Sequence, residues 1–178
     1  MNKTLIPIMI NVVKDPDGHE RFRAVTSLEE IARTPSAGKN MIEIQEAYAV
    51  LIENCRAKLK IIRENRKNRG DPLLKWELAK SINDFIKSIK KRGYFFVNCS
   101  RALARDLGIS IREIDYLIKF ANTFPKKNLL HPQINWNKYR EILDIKSRSL
   151  QEEIIQKILR GELRTRDDIR KFKRTLRK

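Results

Sequence analysis

From Met41 to Asn68 the chain contains no proline or glycine, and Ile44, Ala47, Leu51, Cys55, Leu59 and Ile62 recur at three- and four-residue spacings. That period lays apolar side chains along one face of a helix, so a long amphipathic helix is expected here. Gly70 and Pro72 break it. Leu74, Leu78, Ile82, Phe85, Ile86 and Ile89 repeat the pattern in a second helix ending near Gly93, with Trp76 joining its packed face. The expected fold is mostly α: a helical bundle that contains a helix-turn-helix, with a small N-terminal β-hairpin.

The hairpin is read from Thr4 to Val13 and Glu20 to Thr26, which are extended in character and flank Asp15-Pro16-Asp17-Gly18, a turn sequence. Ser27 and Glu30 then form a capping box for a short helix through Ala32, and Thr34 to Asn40, with Pro35 and Gly38, reads as a linker. This divides the chain into an arm at 1–40 and a helical domain at 41–178. Met1 to Val13 is apolar, but Pro7 interrupts it and no small-residue cleavage site follows, so a cytoplasmic protein is expected, on the nucleoid in a bacterial or archaeal cell. Cys55 and Cys99 stand alone in helical patterns, which predicts neither a disulfide nor a metal site.

Charge narrows the partner. Lys and Arg number 39 against 22 Asp and Glu, a formal net charge of +17, well beyond what solubility requires. A polyanion is the expected partner. Membrane is disfavoured, because no apolar run approaches the roughly 18 residues of a span and the basic residues lie on several helices. Two basic clusters stand out. Arg56, Lys58, Lys60, Arg63, Arg66, Lys67 and Arg69 oppose only Glu64, and Arg160, Arg164, Arg166, Arg170, Lys171, Lys173, Arg174, Arg177 and Lys178 oppose Asp167 and Asp168. Either can lie along phosphates or form a solvated face, and the second reads as a phosphate clamp. Tyr94, Phe95 and Phe96 are expected to pack beneath the following helix rather than to stack on bases.

The segment Arg101 to Phe120, R-A-L-A-R-D-L-G-I-S-I-R-E-I-D-Y-L-I-K-F, meets the needs of a helix-turn-helix in order. Ala104 is small where two helices approach, and Gly108 falls where the turn needs a positive φ. Leu103, Leu107, Ile109, Ile114 and Leu117 supply the apolar contacts. Ser110 and Glu113 form a capping box that starts the second helix at Ile111, its amides aimed at phosphate. Arg112, Asp115, Tyr116 and Lys119 project from the outer face: Arg112 toward guanine, Lys119 toward phosphate, Asp115 toward a cytosine amino group. Asn98 is the expected N-cap of the first helix, and Arg101 and Arg105 are expected phosphate contacts. Thr165 and Asp168 cap a last helix, Arg166 to Leu176, whose Arg166, Arg170, Lys171, Lys173 and Arg174 complete the expected DNA-binding set. The same turn pattern also serves purely structural helix pairs; the independent charge argument favours DNA.

Four stretches carry a family likeness: W-E-L-A-K-S-I at Trp76 to Ile82, L-A-R-D-L-G-I-S at Leu103 to Ser110, F-A-N-T-F-P at Phe120 to Pro125 and I-N-W-N-K-Y-R-E-I-L at Ile134 to Leu143. They resemble the N-terminal helical domain of the bacterial YhcG-like family, whose C-terminal domain has a PD-(D/E)xK nuclease fold. The nuclease domain would begin where this sequence stops, at Lys178, so the resemblance implies DNA binding without cleavage. The helix-turn-helix, with I-I-Q-K-I-L-R-G-E-L-R at Ile154 to Arg164 and T-R-D-D-I-R-K downstream, also resembles the DNA-binding core of ParB-type partition proteins, without their N-terminal CTP-binding and nuclease motifs.

No catalytic constellation or cofactor motif is found. His19 and His131 are far apart, and Asp71, Glu77 and Lys80 only caricature a nuclease site, because an acid-x-lysine on a strand is missing. A non-catalytic protein on double-stranded DNA is the expectation, with a homodimer as one assembly. An accessory or RNA-binding subunit of a nuclease or ribonucleoprotein complex stays open as the alternative. RNA modules usually carry an aromatic sheet or a G-x-x-G clamp, and neither is evident in the sequence. Trp136 and Tyr139 are expected to cap the core rather than to stack.

Overall fold

Apolar and polar residues alternate through two N-terminal segments, and in the computed structural model both are strands, β1 (Ile6–Lys14) and β2 (Glu20–Val25). Residues 5–14, 17, 20–26 and 37–176 are described. The strands pair antiparallel, from Met9 opposite Val25 to Lys14 opposite Glu20, which is the expected hairpin. Of its connecting turn only Asp17 is among the described residues, and the capping box and short helix expected at Ser27 to Ala32 lie outside them.

Among the described residues seven α-helices follow: α1 (Ala37–Glu64), α2 (Pro72–Lys91), α3 (Cys99–Leu107), α4 (Ile111–Thr123), α5 (Trp136–Leu143), α6 (Arg148–Leu159) and α7 (Arg166–Thr175). The fold is therefore mostly α with a small N-terminal sheet. No described helix is long and apolar enough to cross a membrane. Helix α1 begins at Ala37, so the expected linker ends earlier than its composition suggests. Gly38 lies in the first turn, where backbone N–H groups lack helical partners anyway, and a glycine there weakens the helix less than in its interior. Asp71 starts α2: its Oδ1 accepts from the amides of Leu73 at 2.7 Å and Leu74 at 3.3 Å, ahead of which Pro72 occupies the first helical position.

The packing expected of the aromatic cluster holds for Tyr94 and Phe96 but not for Phe95. Tyr94–Phe96 is a third strand, β3, parallel to β1 with Ile6 opposite Tyr94 and Ile8 opposite Phe96, giving the order β2-β1-β3. Aromatic residues favour the pleated surface. The pleat buries Tyr94 and Phe96 and turns Phe95 outward, 57% exposed.

The chain forms two units, Met1–Ala57 with Ser81–Asp115 and Lys58–Lys80 with Tyr116–Lys178. In the first, Tyr48 of α1 is the hub. Its ring meets Phe22 of β2 at 5.0 Å, Phe85 of α2 at 5.5 Å and Phe96 of β3 at 5.8 Å, and its hydroxyl donates to the buried Asp106 of α3 at 2.7 Å. One residue thus joins the sheet to three helices. In the second unit Phe120 packs against Phe124, Trp136 and Tyr139 at 5.0 to 5.4 Å, and Trp136 and Tyr139 are buried, in the core role expected of them. Trp76 donates its indole N–H to the Phe124 carbonyl at 2.7 Å.

Tyr48→Phe keeps the ring contacts and removes one donor from a buried carboxylate. It is expected to cost about 1.5–3 kcal/mol, the usual range for a hydrogen bond to a charged group, read as a lowered midpoint in urea with an unchanged slope.

Candidate nucleic-acid interface

The helix-turn-helix segment folds as its spacing predicts. Helix α3 buries Leu103, Ala104, Asp106 and Leu107. Gly108 ends it at φ 61°, ψ 41°, its N–H turned back to the Ala104 and Arg105 carbonyls, and the Ile109 amide donates to Ala104 at 3.1 Å. An L side chain pays about 1–2 kcal/mol in that left-handed region, which is why glycine belongs there. Ser110 caps α4, its Oγ accepting from the Glu113 amide at 3.1 Å, and the helix starts at Ile111. Asn98 stands at the N-cap of α3 but makes no side-chain cap bond. Its φ of 52° shows a different reason for the residue, since asparagine tolerates the left-handed region better than most.

The expected site residues differ in exposure and in the contacts they make. Arg112 is exposed in the first turn of α4, and Arg101 is exposed on α3. Arg105 forks onto its own neighbour, Nε to Asp106 Oδ1 at 2.5 Å and Nη2 to Oδ2 at 2.9 Å, and reaches the Ile10 carbonyl at 3.4 Å. Its guanidinium holds a buried carboxylate before it can meet a phosphate. Asp115 accepts from Ser100 Oγ at 2.6 Å, so it ties α4 to α3 instead of waiting for a cytosine. Ser100 was not legible as a partner, because nothing in its spacing marks it.

Farther along α4, the Tyr116 hydroxyl donates to Asp144 at 3.1 Å, the Arg140 guanidinium lies 4.7 Å over the Tyr116 ring, and Lys119 approaches Asp144 at 4.0 Å. Both side chains lean on the end of α5. The N-terminal turn of α4 is outward, with Ile111 46% exposed beside Arg112, and Asp115, Lys119 and Asn122 are exposed farther along the helix.

Comparison with known proteins adds nothing to this geometry: no family model matches the chain, and neither a curated protein nor a solved structure does.

The C-terminal cluster departs from a simple phosphate clamp. Glu141 of α5 is buried, and three of the basic residues converge on it: Arg166 Nε at 2.6 Å, Arg170 Nε at 3.0 Å and Lys173 Nζ at 3.1 Å, with Lys173 also on the Glu141 carbonyl at 3.0 Å. A buried carboxylate must be neutralised, and these side chains fix α7 against α5 to do it. Lys171 and Arg174 remain exposed on α7, while Arg177 and Lys178 lie outside the described residues. Thr165 and Asp168 form the expected capping box, with reciprocal bonds of 3.1 and 2.7 Å.

Two of the three residues that caricature a nuclease site have structural partners. Asp71 caps α2, and Glu77 pairs with Lys127 at 2.9 Å. Among the described residues no three His, Cys, Asp or Glu side chains gather to hold a metal. Burial, followed by the nearby Asp115 charge, pushes the Cys99 thiol up to about 12, which leaves it protonated at neutral pH.

Burial raises the Glu141 carboxyl pKa, but hydrogen bonds from Arg166, Lys173 and Arg170 together with the Lys173 charge outweigh it and hold the group below its ordinary value. The folded pKa thus lies under the unfolded one, about 4.3, so the stabilisation is complete above that pH and is lost as pH falls through the folded value. Glu141→Gln is expected to cost roughly 3 kcal/mol at pH 7, the lower end for a broken buried pair, because water can take over part of what Arg166 and Arg170 lose. The gap in melting temperature between parent and variant should hold from pH 7 to about 5 and narrow below about 4.3. A gap independent of pH would refute this account of the cluster.

Proposed function

We propose that the protein binds duplex DNA, without a reaction of its own, by presenting the N-terminal turn of α4 to the major groove. The observation that carries this reading is the outward Arg112 in the first turn of a capped helix, behind a turn fixed by Gly108. A helix N-terminus favours phosphate, and an arginine there can form a bidentate pair with guanine. The formal charge of +17 supports the same partner through sequence-independent attraction. The motif likenesses at Leu103 to Ser110 and Phe120 to Pro125 point the same way.

Within this reading the side chains have separate tasks. Arg112 reads a base edge, while Arg101 on α3 and Lys171 and Arg174 on α7 meet phosphates. Asp115, Tyr116 and Lys119 hold α4 in position, and Arg166, Arg170 and Lys173 build the fold around Glu141. A competition assay on a site selected from random duplexes, against a scrambled one at fixed salt, tests the division. Arg112→Ala should lose about 1–3 kcal/mol on the selected site and little on the scrambled one. Replacing Lys171 and Arg174 together should weaken both equally and make the slope of log affinity against log salt shallower by about 0.9 per phosphate lost. Equal losses for Arg112→Ala on the two duplexes would remove base reading from α4.

A further inference from the structure

We propose that the outer face of the β2-β1-β3 sheet, with the cleft beside it, binds single-stranded nucleic acid. The pleat buries Ile8, Ile10, Ala24, Tyr94 and Phe96 on one side. On the other it sets out Met9, Asn11 and Val13 from β1, Arg21 and Arg23 from β2, and Phe95 from β3. Met9, Val13 and Phe95 are 48%, 41% and 57% exposed, whereas alternation on a solvated sheet calls for polar residues there. The register places Asn11 opposite Arg23 and Val13 opposite Arg21, so arginines flank the apolar strip. No acidic residue is among the described residues of that face.

The sheet continues into a cleft. Beyond Ile8 strand β1 loses β3 as its neighbour, and Met9, Ile10 and Asn11 line a cavity of about 150 Å³ together with Asn98, Arg101 and Arg105 of the α3 segment, Arg105 crossing to the Ile10 carbonyl at 3.4 Å. A space of that volume holds one six-membered aromatic ring. Its lining includes Asn11, Asn98 and Arg101, whose amide and guanidinium groups are of the kind that pairs with the edge of an unstacked base and with its phosphate.

Chemistry selects the occupant. An exposed phenylalanine among arginines suits a strand whose bases are free to stack and whose phosphates need neutralising, and a base-sized cleft with amides suits the same strand. A duplex offers neither free base faces nor a splayed base. Arg101 serves both this inference and the duplex reading, but Phe95 belongs to this one alone, so its substitution tests the single-strand site whether or not α4 reads a groove.

The test uses the full chain and fluorescence anisotropy at one salt concentration, with labelled oligothymidine and oligouridine of about 10 nucleotides, within the span such platforms track, and a duplex of equal length. Phe95→Ala should weaken single-strand binding roughly 5- to 150-fold, the loss of one stacked base, leave duplex affinity unchanged and leave the melting temperature intact. Phe95→Trp should restore it. The two oligomers distinguish DNA from RNA as the strand bound. An oligothymidine carrying 5-iodouracil should cross-link under ultraviolet light to the peptide containing Phe95 or to that containing Met9. Unchanged single-strand affinity in Phe95→Ala, or equal losses for strand and duplex, would overturn the proposal. So would a concentration-dependent dimer in sedimentation that Phe95→Ala abolishes, which would give the face to a second copy of the chain.

Discussion

The hydrogen bond from Tyr48 to Asp106 decides how the helix-turn-helix is held. Asp106 lies in the last turn of α3, where the helix dipole disfavours an anion, and its side chain is only 2% exposed. Such a carboxylate persists only if donors surround it. Tyr48 supplies one at 2.7 Å, Arg105 supplies a fork, and Arg56 fastens the backbone carbonyl of the same residue at 3.0 Å. These bonds fix the rotation of α3 about its axis, turning Leu103, Ala104 and Leu107 inward and leaving Arg101 on the outer side. Because the same Tyr48 ring packs on Phe22, Phe85 and Phe96, the sheet and the helix-turn-helix share one anchor.

Net charge and available charge are therefore different quantities. Arg105 is engaged by Asp106, and Arg166, Arg170 and Lys173 by Glu141, so four of the chain's 39 basic residues first serve its own buried carboxylates. Lys173 is the clearest case, with a side chain only 14% exposed and a second contact to Asp144 at 3.8 Å. On the duplex reading proposed above, phosphate contacts fall to a narrower set, the exposed Arg101, Lys171 and Arg174, of which Lys171 also acts on the Asp168 carboxylate.

The sequence made the helical period and the caps legible because both are local. Gly108, Ser110 and the Thr165 and Asp168 pair are read within four residues of the chain, and each performs the predicted task. What depends on distant partners was not legible. A strand of three residues has too little length to show a period, so Tyr94–Phe96 declared itself only through β1, 88 residues earlier in the register that joins Ile8 to Phe96. Glu141 sits in a helix where a glutamate normally faces water, and only the packing of α5 against α7 makes it a core residue. Ser100 and Asp115 face each other because Gly108 sets the angle between their helices, an angle that residue spacing alone does not specify.

The two surfaces proposed for nucleic acid differ in what they can distinguish. Both draw on phosphate attraction, so the salt dependence of binding reports their sum and assigns nothing to either. A capped helix end is rigid and convex, suited to a groove whose base edges are already in place. The outer sheet face is flat, and its exposed aromatic ring gains from a base that has left its stack, which a paired base cannot offer without a cost of a few kcal/mol for unpairing. Leaving Phe95, Met9 and Val13 in water forgoes burial worth about 1.5–3 kcal/mol for each large side chain, and a folded protein of this size gains nothing from that exposure by itself. Sheet register forces alternate residues outward but does not dictate that they be apolar. The choice of phenylalanine, methionine and valine at those positions is thus a property of the surface rather than of the fold, and it is the surface that a stacked strand would use.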